Sequence, residues 1–122
     1  MLYNYLNMQH IKAENRVNRP VTHNPSINKS IYIEGEFAKN LGVVFLQMAN
    51  FPPGESAKEH VHQTMHEFFL PAIGHLGFVI EDHQFTAEPG DLVIIEAGEK
   101  HFQYNDTTEE AVVLCWGIAT TT

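Results

Sequence analysis

Short candidate strands, separated by turn residues, follow one another along the chain from about position 30 onward. They lie at 31–33, 41–49, 59–62, 67–71, 75–80, 83–86, 92–95, 101–105 and 111–118. Turn signals such as Pro52-Pro53-Gly54 recur about every 8–12 residues, a spacing typical of sandwiches and barrels. Several runs are continuously apolar, so we expect both faces of those strands to be covered. The pattern predicts an all-β sandwich or barrel.

The first thirty residues show less order. They are rich in Asn, contain Pro20 and Pro25, and have no sustained hydrophobic period. Residues 8–17 allow one or two helical turns, and the alternative is an arm that reaches a second subunit. We therefore divide the chain into an N-terminal arm, residues 1–35, and a β-barrel domain, residues 36–122.

Composition narrows the functional classes. A chain of 122 residues with 43% hydrophobic content predicts one domain with a real core. The formal net charge of -8 argues against nucleic acid and anionic membranes as partners. Residues 1–7 lack the basic and apolar segments of a signal peptide, so we expect a cytoplasmic protein. The single cysteine, Cys115, lies in an apolar run and is expected to be a buried, unreactive thiol.

Two stretches bring together residues typical of a metal site. They read Gly54-x5-His60-x-His62-x4-Glu67-x6-Gly74 and Gly90-x7-Gly98-x2-His101-x3-Asn105. Side chains two apart on a strand point the same way, so His60 and His62 can bind one ion. A hairpin turn after His62 would return Glu67 beside it, and His101 would add a third imidazole. Such a set suits one divalent transition metal, namely Fe, Mn, Ni, Co, Cu or Zn.

The other histidines are expected to lie outside this set. His10, His23 and His83 stand in polar or irregular stretches, which favours surface or packing roles. His66 precedes Glu67 and should face the opposite side of a strand. A local bulge would instead make His66 a substitute ligand.

Strand parity also predicts which residues line a pocket. Gln103 shares a face with His101, Phe69 shares one with Glu67, and Phe45 shares one with Gln47. We predict that these four residues bind substrate, although cross-strand packing or a satisfied core amide explains Gln47 and Gln103 at least as well. For Phe69, a place in the core is the favoured alternative. Lys58 would share the face of His60. Since no Arg follows Arg19, we expect no guanidinium inside the barrel and a neutral, mostly apolar substrate.

The two stretches resemble the paired motifs of the cupin superfamily, G-x5-H-x-H-x3,4-E-x6-G and G-x5-P-x-G-x2-H-x3-N. The departure is Glu96, where the family usually has Pro, and the resemblance spans about residues 41–118. It implies a jelly-roll (double-stranded β-helix) barrel. It also implies a central metal held by His60, His62, Glu67 and His101. Small cupins usually form homodimers, often by exchanging N-terminal strands, which would give residues 1–35 a role.

Three functions follow from such a site. We favour a metal-dependent enzyme, with dioxygenase-type oxidation of a small molecule as the leading reaction. Isomerase or lyase chemistry would use the metal as a Lewis acid and Glu67, the predicted catalytic residue, to move a proton. A non-catalytic ligand-binding or sensor protein is the alternative. Beyond the ligands, only His75 and Glu96 stand near the motifs as unassigned acid–base candidates.

Overall fold

The structure is a computed structural model that describes residues 8–120. Residues 1–7, on which the signal-peptide interpretation depends, and residues 121–122 lie outside the described part. The strands are Val17–Val21 (β1), Asn24–Glu34 (β2), Phe45–Phe51 (β3), Met65–Ile73 (β4), Leu76–Ile80 (β5), His83–Ala87 (β6), Val93–Ile95 (β7), His101–Tyr104 (β8) and Ala111–Ala119 (β9). One 3-10 turn, Ala13–Asn15, and one short helix, Gly35–Asn40 (α1), interrupt them.

The strands form two antiparallel sheets. The larger has six strands in the order β1-β2-β3-β9-β4-β7, and the smaller has three in the order β6-β5-β8. An isolated bridge between His60 and His101 joins the segment before β4 to the free edge of β8. The all-β jelly-roll prediction is therefore confirmed. No helix among residues 8–120 is long and apolar enough to cross a membrane.

Alternation along the strands sends one face of each sheet into the interior. In β9 every second residue from Ala111 to Gly117 is buried, and β4 shows the same period. The inner faces meet in one apolar core, where the rings of Phe69 and Phe78 pack edge to face with centroids 5.3 Å apart. This packing determines which side chains of β4 and β9 point into the interior.

Register divides the inner face of the large sheet into rows. Phe45 lies opposite Gly117, which in turn lies opposite Glu67. One row further, Gln47 faces Cys115 and Cys115 faces Phe69. In a third row, Lys29 of β2 faces Ala49, and Ala49 faces Val113. Glu67 and the pocket residues predicted on β3 and β4 thus lie in neighbouring rows of the same sheet face.

The N-terminal part is more regular than its sequence suggests. β1 and β2 occupy 17–34 and join the large sheet through β3, while the 3-10 turn lies in the stretch that allows helical turns. The boundary at residue 35 and the arm remain predictions. Two strand predictions shift. The run 41–49 becomes β3 only from Phe45, because α1 ends at Asn40 and Gly42 has a φ of 90°. Residues 59–62 form one bridge rather than a strand.

Candidate metal centre

Four side chains from three parts of the chain converge at one point. The potential ligand atoms of His60, His62, Glu67 and His101 all lie within 4.8 Å of one another. Glu67 projects from the inner face of β4, and His101 is the first residue of β8. His60 and His62 come from the extended segment between β3 and β4, which the bridge to His101 holds in place. The sequence-predicted set is therefore brought together by the fold.

The carboxylate of Glu67 stands at the centre of the cluster. Its Oε1 atom lies 3.1 Å from His101 Nε2 and 3.4 Å from His62 Nε2. The ring centroid of His60 lies 4.3 Å from that of His101 and 4.8 Å from that of His62. Glu67 and His101 are buried, whereas His60 and His62 are partly exposed. One side of the cluster is closed by the core and the other faces the cavity.

Two of the imidazoles are oriented by the backbone. His60 Nδ1–H donates to the Lys58 carbonyl at 2.8 Å, and His101 Nδ1–H donates to the Glu99 carbonyl at 2.9 Å. Because a carbonyl only accepts, each ring must carry its proton on Nδ1, which leaves Nε2 available as a metal ligand. Metal-binding histidines are commonly oriented in this way. The residues present therefore fit a bound transition metal.

The pKa values follow from burial and from the mutual contacts of these groups. Burial alone would raise the pKa of Glu67, but hydrogen bonds and charges from His101 and His62 lower it to about 2. Burial would lower the pKa of His101, yet the contacts with Glu67 and with the Glu99 carbonyl raise it. Burial lowers the pKa of His60 despite its bond to Lys58. Without metal, Glu67 and His101 therefore form a buried ion pair.

Cys115 lies directly behind the carboxylate. It is buried, and its Sγ is 3.6 Å from Glu67 Oε2, close enough for the thiol to donate a weak hydrogen bond. Burial raises the pKa of Cys115 well above its ordinary value, and the Glu67 charge raises it further. The sequence prediction of a buried thiol is confirmed. Its position also shows how both carboxylate oxygens of Glu67 are contacted.

A cavity of about 530 Å³ adjoins the cluster. The four side chains predicted from strand parity all line it, namely Phe45, Gln47, Phe69 and Gln103. So do His60, His62 and Glu67. The volume is within the range of small-molecule sites. Whether the four pocket residues contact a substrate remains a prediction.

The expectation of an interior without a guanidinium is wrong. Arg19 of β1 lines the cavity and pairs with Glu34, and Lys29 of β2 lines it as well. The error arose because residues 17–30 showed no sustained period and were not predicted to form strands of the cavity wall. The signal was present in the sequence: Ile27, Lys29 and Ile31 have the period of a strand with one face inward.

His23 is a second residue that sequence reasoning assigned to the surface. It is exposed, but it lines the cavity mouth, and its ring centroid lies 5.7 Å from that of His60. Its Nδ1 accepts a hydrogen bond from the backbone N–H of Lys58 at 3.2 Å. Lys58 itself is exposed and is not among the lining residues. The β1–β2 turn therefore brings His23, rather than Lys58, to the site.

The remaining candidates lie outside the centre. His66 Nδ1 accepts a hydrogen bond from the backbone N–H of Ala97 at 3.1 Å, so it holds the turn before His101. His75 faces Glu88 at 3.8 Å on the surface, and Glu96 is exposed. None of these side chains lines the cavity. His66 is thus a structural neighbour of the metal centre and is separate from its ligand cluster.

Comparison with known proteins agrees with this geometry. A family model described as "Cupin domain" matches residues 47–117, more than half of the chain. The chain therefore belongs to the cupin family. Residues 47–117 contain all four members of the cluster. No curated protein matches the chain.

Solved structures share the fold at low sequence identity. A predicted oxalate decarboxylase from Thermotoga maritima is 16% identical with a TM-score of 0.82, covering 92% of this chain and 100% of that one. A cupin-superfamily sugar phosphate isomerase from Silicibacter pomeroyi is 20% identical with a TM-score of 0.74, covering 92% and 76%. The polyketide cyclase RemF from Streptomyces resistomycificus is 18% identical with a TM-score of 0.76, covering 91% and 79%. At these identities the similarity establishes the fold alone.

Proposed function

We propose that this cupin is a metal-dependent enzyme that acts on a small organic molecule with a largely apolar body. One observation carries the proposal: the four potential ligands converge beside an open cavity of about 530 Å³. A protein that used its metal only for structure would be expected to close the coordination sphere. Here His60 and His62 remain partly exposed toward the cavity, where a substrate can reach the centre.

The bound ion, one of Fe, Mn, Ni, Co, Cu or Zn, would supply Lewis acidity or, if redox-active, electron transfer to dioxygen. The protein's own side chains would hold the ion and orient the substrate. Glu67, with a pKa lowered to about 2, is ionised at neutral pH but only weakly basic, which suits a metal ligand better than a general base. Phe45, Phe69 and Gln47 would bind the body of the substrate.

Dioxygenase-type oxidation is the favoured reaction because the cavity has few groups for proton transfer. Among its lining carboxylates, Glu67 belongs to the metal cluster and Glu34 is paired with Arg19. A redox-neutral isomerase or lyase needs a further acid or base. His23 at the mouth is the candidate that keeps this alternative open. A sugar phosphate isomerase and a polyketide cyclase share this fold, which also favours keeping a redox-neutral reaction as the alternative.

Oxygen uptake tests the proposal. Protein loaded in turn with Fe, Mn, Ni and Cu is mixed aerobically with small phenols, thiols and keto compounds in an oxygen electrode. We expect substrate-dependent uptake that His62→Ala abolishes and that the surface control His83→Ala preserves. If no combination of metal and substrate gives oxygen uptake, the proposed dioxygenase activity is contradicted. Product formed without oxygen and lost in His23→Ala would support the isomerase or lyase, and binding without turnover would support a ligand-binding protein.

We also propose a homodimer formed through the outer face of the large sheet. There the row Leu46, Trp116, Phe68 and Ile94 runs across four paired strands. The rings of Phe68 and Trp116 stack with centroids 5.2 Å apart, and Ile94 is 51% exposed. A second copy could cover the same row in a symmetric contact. Sedimentation should give a dimer for the wild type and a monomer for Ile94→Glu, and a monomeric wild type would contradict the proposal.

A further inference from the structure

Lys29 occupies a position where a core residue would be expected. It lies on the inward face of β2 between Ile27 and Ile31, which are 1% and 3% exposed. It pairs with Arg19 on β1 and with Ala49 on β3, and Ala49 in turn faces Val113. The small Ala49 leaves room for a long side chain, and Lys29 lines the cavity together with both isoleucines. A charged group is thus placed on the wall of a mainly apolar pocket.

No counter-charge accompanies this ammonium group. Within residues 8–120, no carboxylate lies within the 4.0 Å of an ion pair with Lys29, in contrast to Arg19, which is paired with Glu34. A half-buried charge without a partner is costly unless a ligand supplies one.

A second polar group in the same cavity also lacks a partner. The Gln103 amide nitrogen, Nε2, is buried and finds no hydrogen-bond acceptor among the described residues, although Gln103 is only 3% exposed. Buried amides in folded proteins are almost always satisfied by protein, water or ligand. Gln103 follows His101 by two residues on β8 and so projects from the same face. Its N–H groups are available to an oxygen of a bound molecule.

The charges of the cavity leave Lys29 unmatched in either state of the centre. Without metal, Glu67 Oε1 already lies 3.1 Å from His101 Nε2 and 3.4 Å from His62 Nε2, so this carboxylate is engaged within the cluster. With a divalent ion, the centre itself is positive. Arg19 and Glu34 cancel each other. The positive charge of Lys29 therefore favours an anionic group on the ligand, despite the negative net charge of the chain.

We propose that Lys29 binds the carboxylate of a small organic acid, and that Gln103 donates a hydrogen bond to an oxygen of the same molecule. This proposal rests on the proposed function and names its substrate class. Lys29 lies two register rows along the strands and three strands across the sheet from Glu67, about 14 Å in each direction at about 3.4 Å per residue and about 4.8 Å between strands. Both side chains line the same cavity, so an acid bound at Lys29 would lie in the cavity that adjoins the metal centre.

Calorimetric titration with matched acids and amides tests the proposal. The probes are benzoate, phenylacetate and cinnamate, each paired with its neutral primary amide. The proteins are the wild type, Lys29→Met, Lys29→Arg and the control Lys39→Met, whose lysine is exposed on α1. Each is titrated in the Zn-loaded and in the metal-free form. Thermal unfolding checks the fold, and Lys29→Met should be at least as stable as the wild type because it removes an unpaired charge.

At least one acid should bind the wild type about tenfold more tightly than its amide, in both metal states. Lys29→Met should reduce this preference to within about twofold, whereas Lys29→Arg and Lys39→Met should retain it. Equal binding of acids and amides, or no binding of any probe, overturns the proposal. A preference that survives Lys29→Met but vanishes without metal would show that the ion binds the carboxylate, and would overturn it too. The titration measures binding and not turnover. Its outcome is therefore independent of whether the oxygen-uptake experiment detects a reaction.

Discussion

The two ends of the cavity differ in how their polar groups are satisfied. At the metal end, His60 and His101 each donate to a backbone carbonyl, and both oxygens of Glu67 have neighbours. At the other end, Lys29 has no ion-pair partner within the described residues, and Gln103 Nε2, two residues from His101 on β8, has no hydrogen-bond partner there. The first end is fixed by the protein alone. The second is completed only when a ligand arrives.

This contrast separates two kinds of functional residue. Groups that are held by second contacts keep their geometry in the absence of a ligand, which is what a metal centre requires. Groups that are left without partners cost stability in the free protein and recover it on binding.

Removing a ligand from the fixed end should have the greatest consequence. In His101→Ala the cluster loses a buried imidazole, and Glu67 loses its 3.1 Å partner. We expect metal affinity to fall by at least about 100-fold, more than the 10–100-fold typical of supporting contacts. Competition with a chromogenic chelator measures the change. A Kd within tenfold of the wild type would mean that His101 is not a ligand, and His83→Ala serves as the surface control.

Two buried amides on or beside β8 offer a direct test of the contrast. Asn105 donates through Nδ2 to the carbonyls of Phe51 and Glu109 at 2.8 and 2.7 Å, and its Oδ1 accepts from Thr107. Asn105→Leu should therefore cost about 2–4 kcal/mol in the free energy of unfolding. The matched change Gln103→Met removes an amide nitrogen without a partner, and should change stability by less than about 1 kcal/mol. Urea unfolding compares them, and equal losses would contradict the distinction.

A smaller effect concerns the pH dependence of the metal-free protein. The lowered pKa of Glu67 stabilises the fold above its ordinary value of 4.5, and this contribution is lost as pH falls toward about 2. The raised pKa of His101 stabilises the fold below its ordinary value of 6.5, and this contribution is lost as pH rises through the raised value. The stability difference between the wild type and Glu67→Gln should therefore be largest from about pH 4.5 to 6.5. A difference that does not vary with pH would contradict the ion pair.

The fixed end was predictable from sequence because its chemistry is encoded locally. The spacing of His60, His62 and Glu67, with a distant His101, indicates one metal site. Parity within β3, β4 and β8 then indicated Phe45, Gln47, Phe69 and Gln103 as its surroundings. The fold brings these four side chains, together with His60, His62 and Glu67, to one cavity. His60 and His62 reach it without a regular strand, since one bridge to β8 holds their segment.

The other end was missed because it depends on pairing across the chain. Pro20, Pro25 and several Asn residues make 17–34 look irregular, yet β2 pairs with β3 and completes the wall. Only that pairing turns Lys29 and Arg19 toward the cavity and places the β1–β2 turn, with His23, beside His60. Short-range periodicity contains no information on which distant strand a segment joins. The helix α1 and the late start of β3 were missed for a different reason, because the six residues Gly35–Asn40 are too few to show a helical period.

We propose that His60, His62, Glu67 and His101 together bind one transition-metal ion. Elemental analysis of purified wild type, His62→Ala and His66→Ala, each reconstituted with the same metal and desalted, tests this assignment. His66 lies next to Glu67 but holds the Ala97 backbone, so its loss should leave the ion in place. We expect about one ion per chain in the wild type and in His66→Ala, and nearly none in His62→Ala. Full metal content in His62→Ala, or loss of metal in His66→Ala alone, would contradict the assignment.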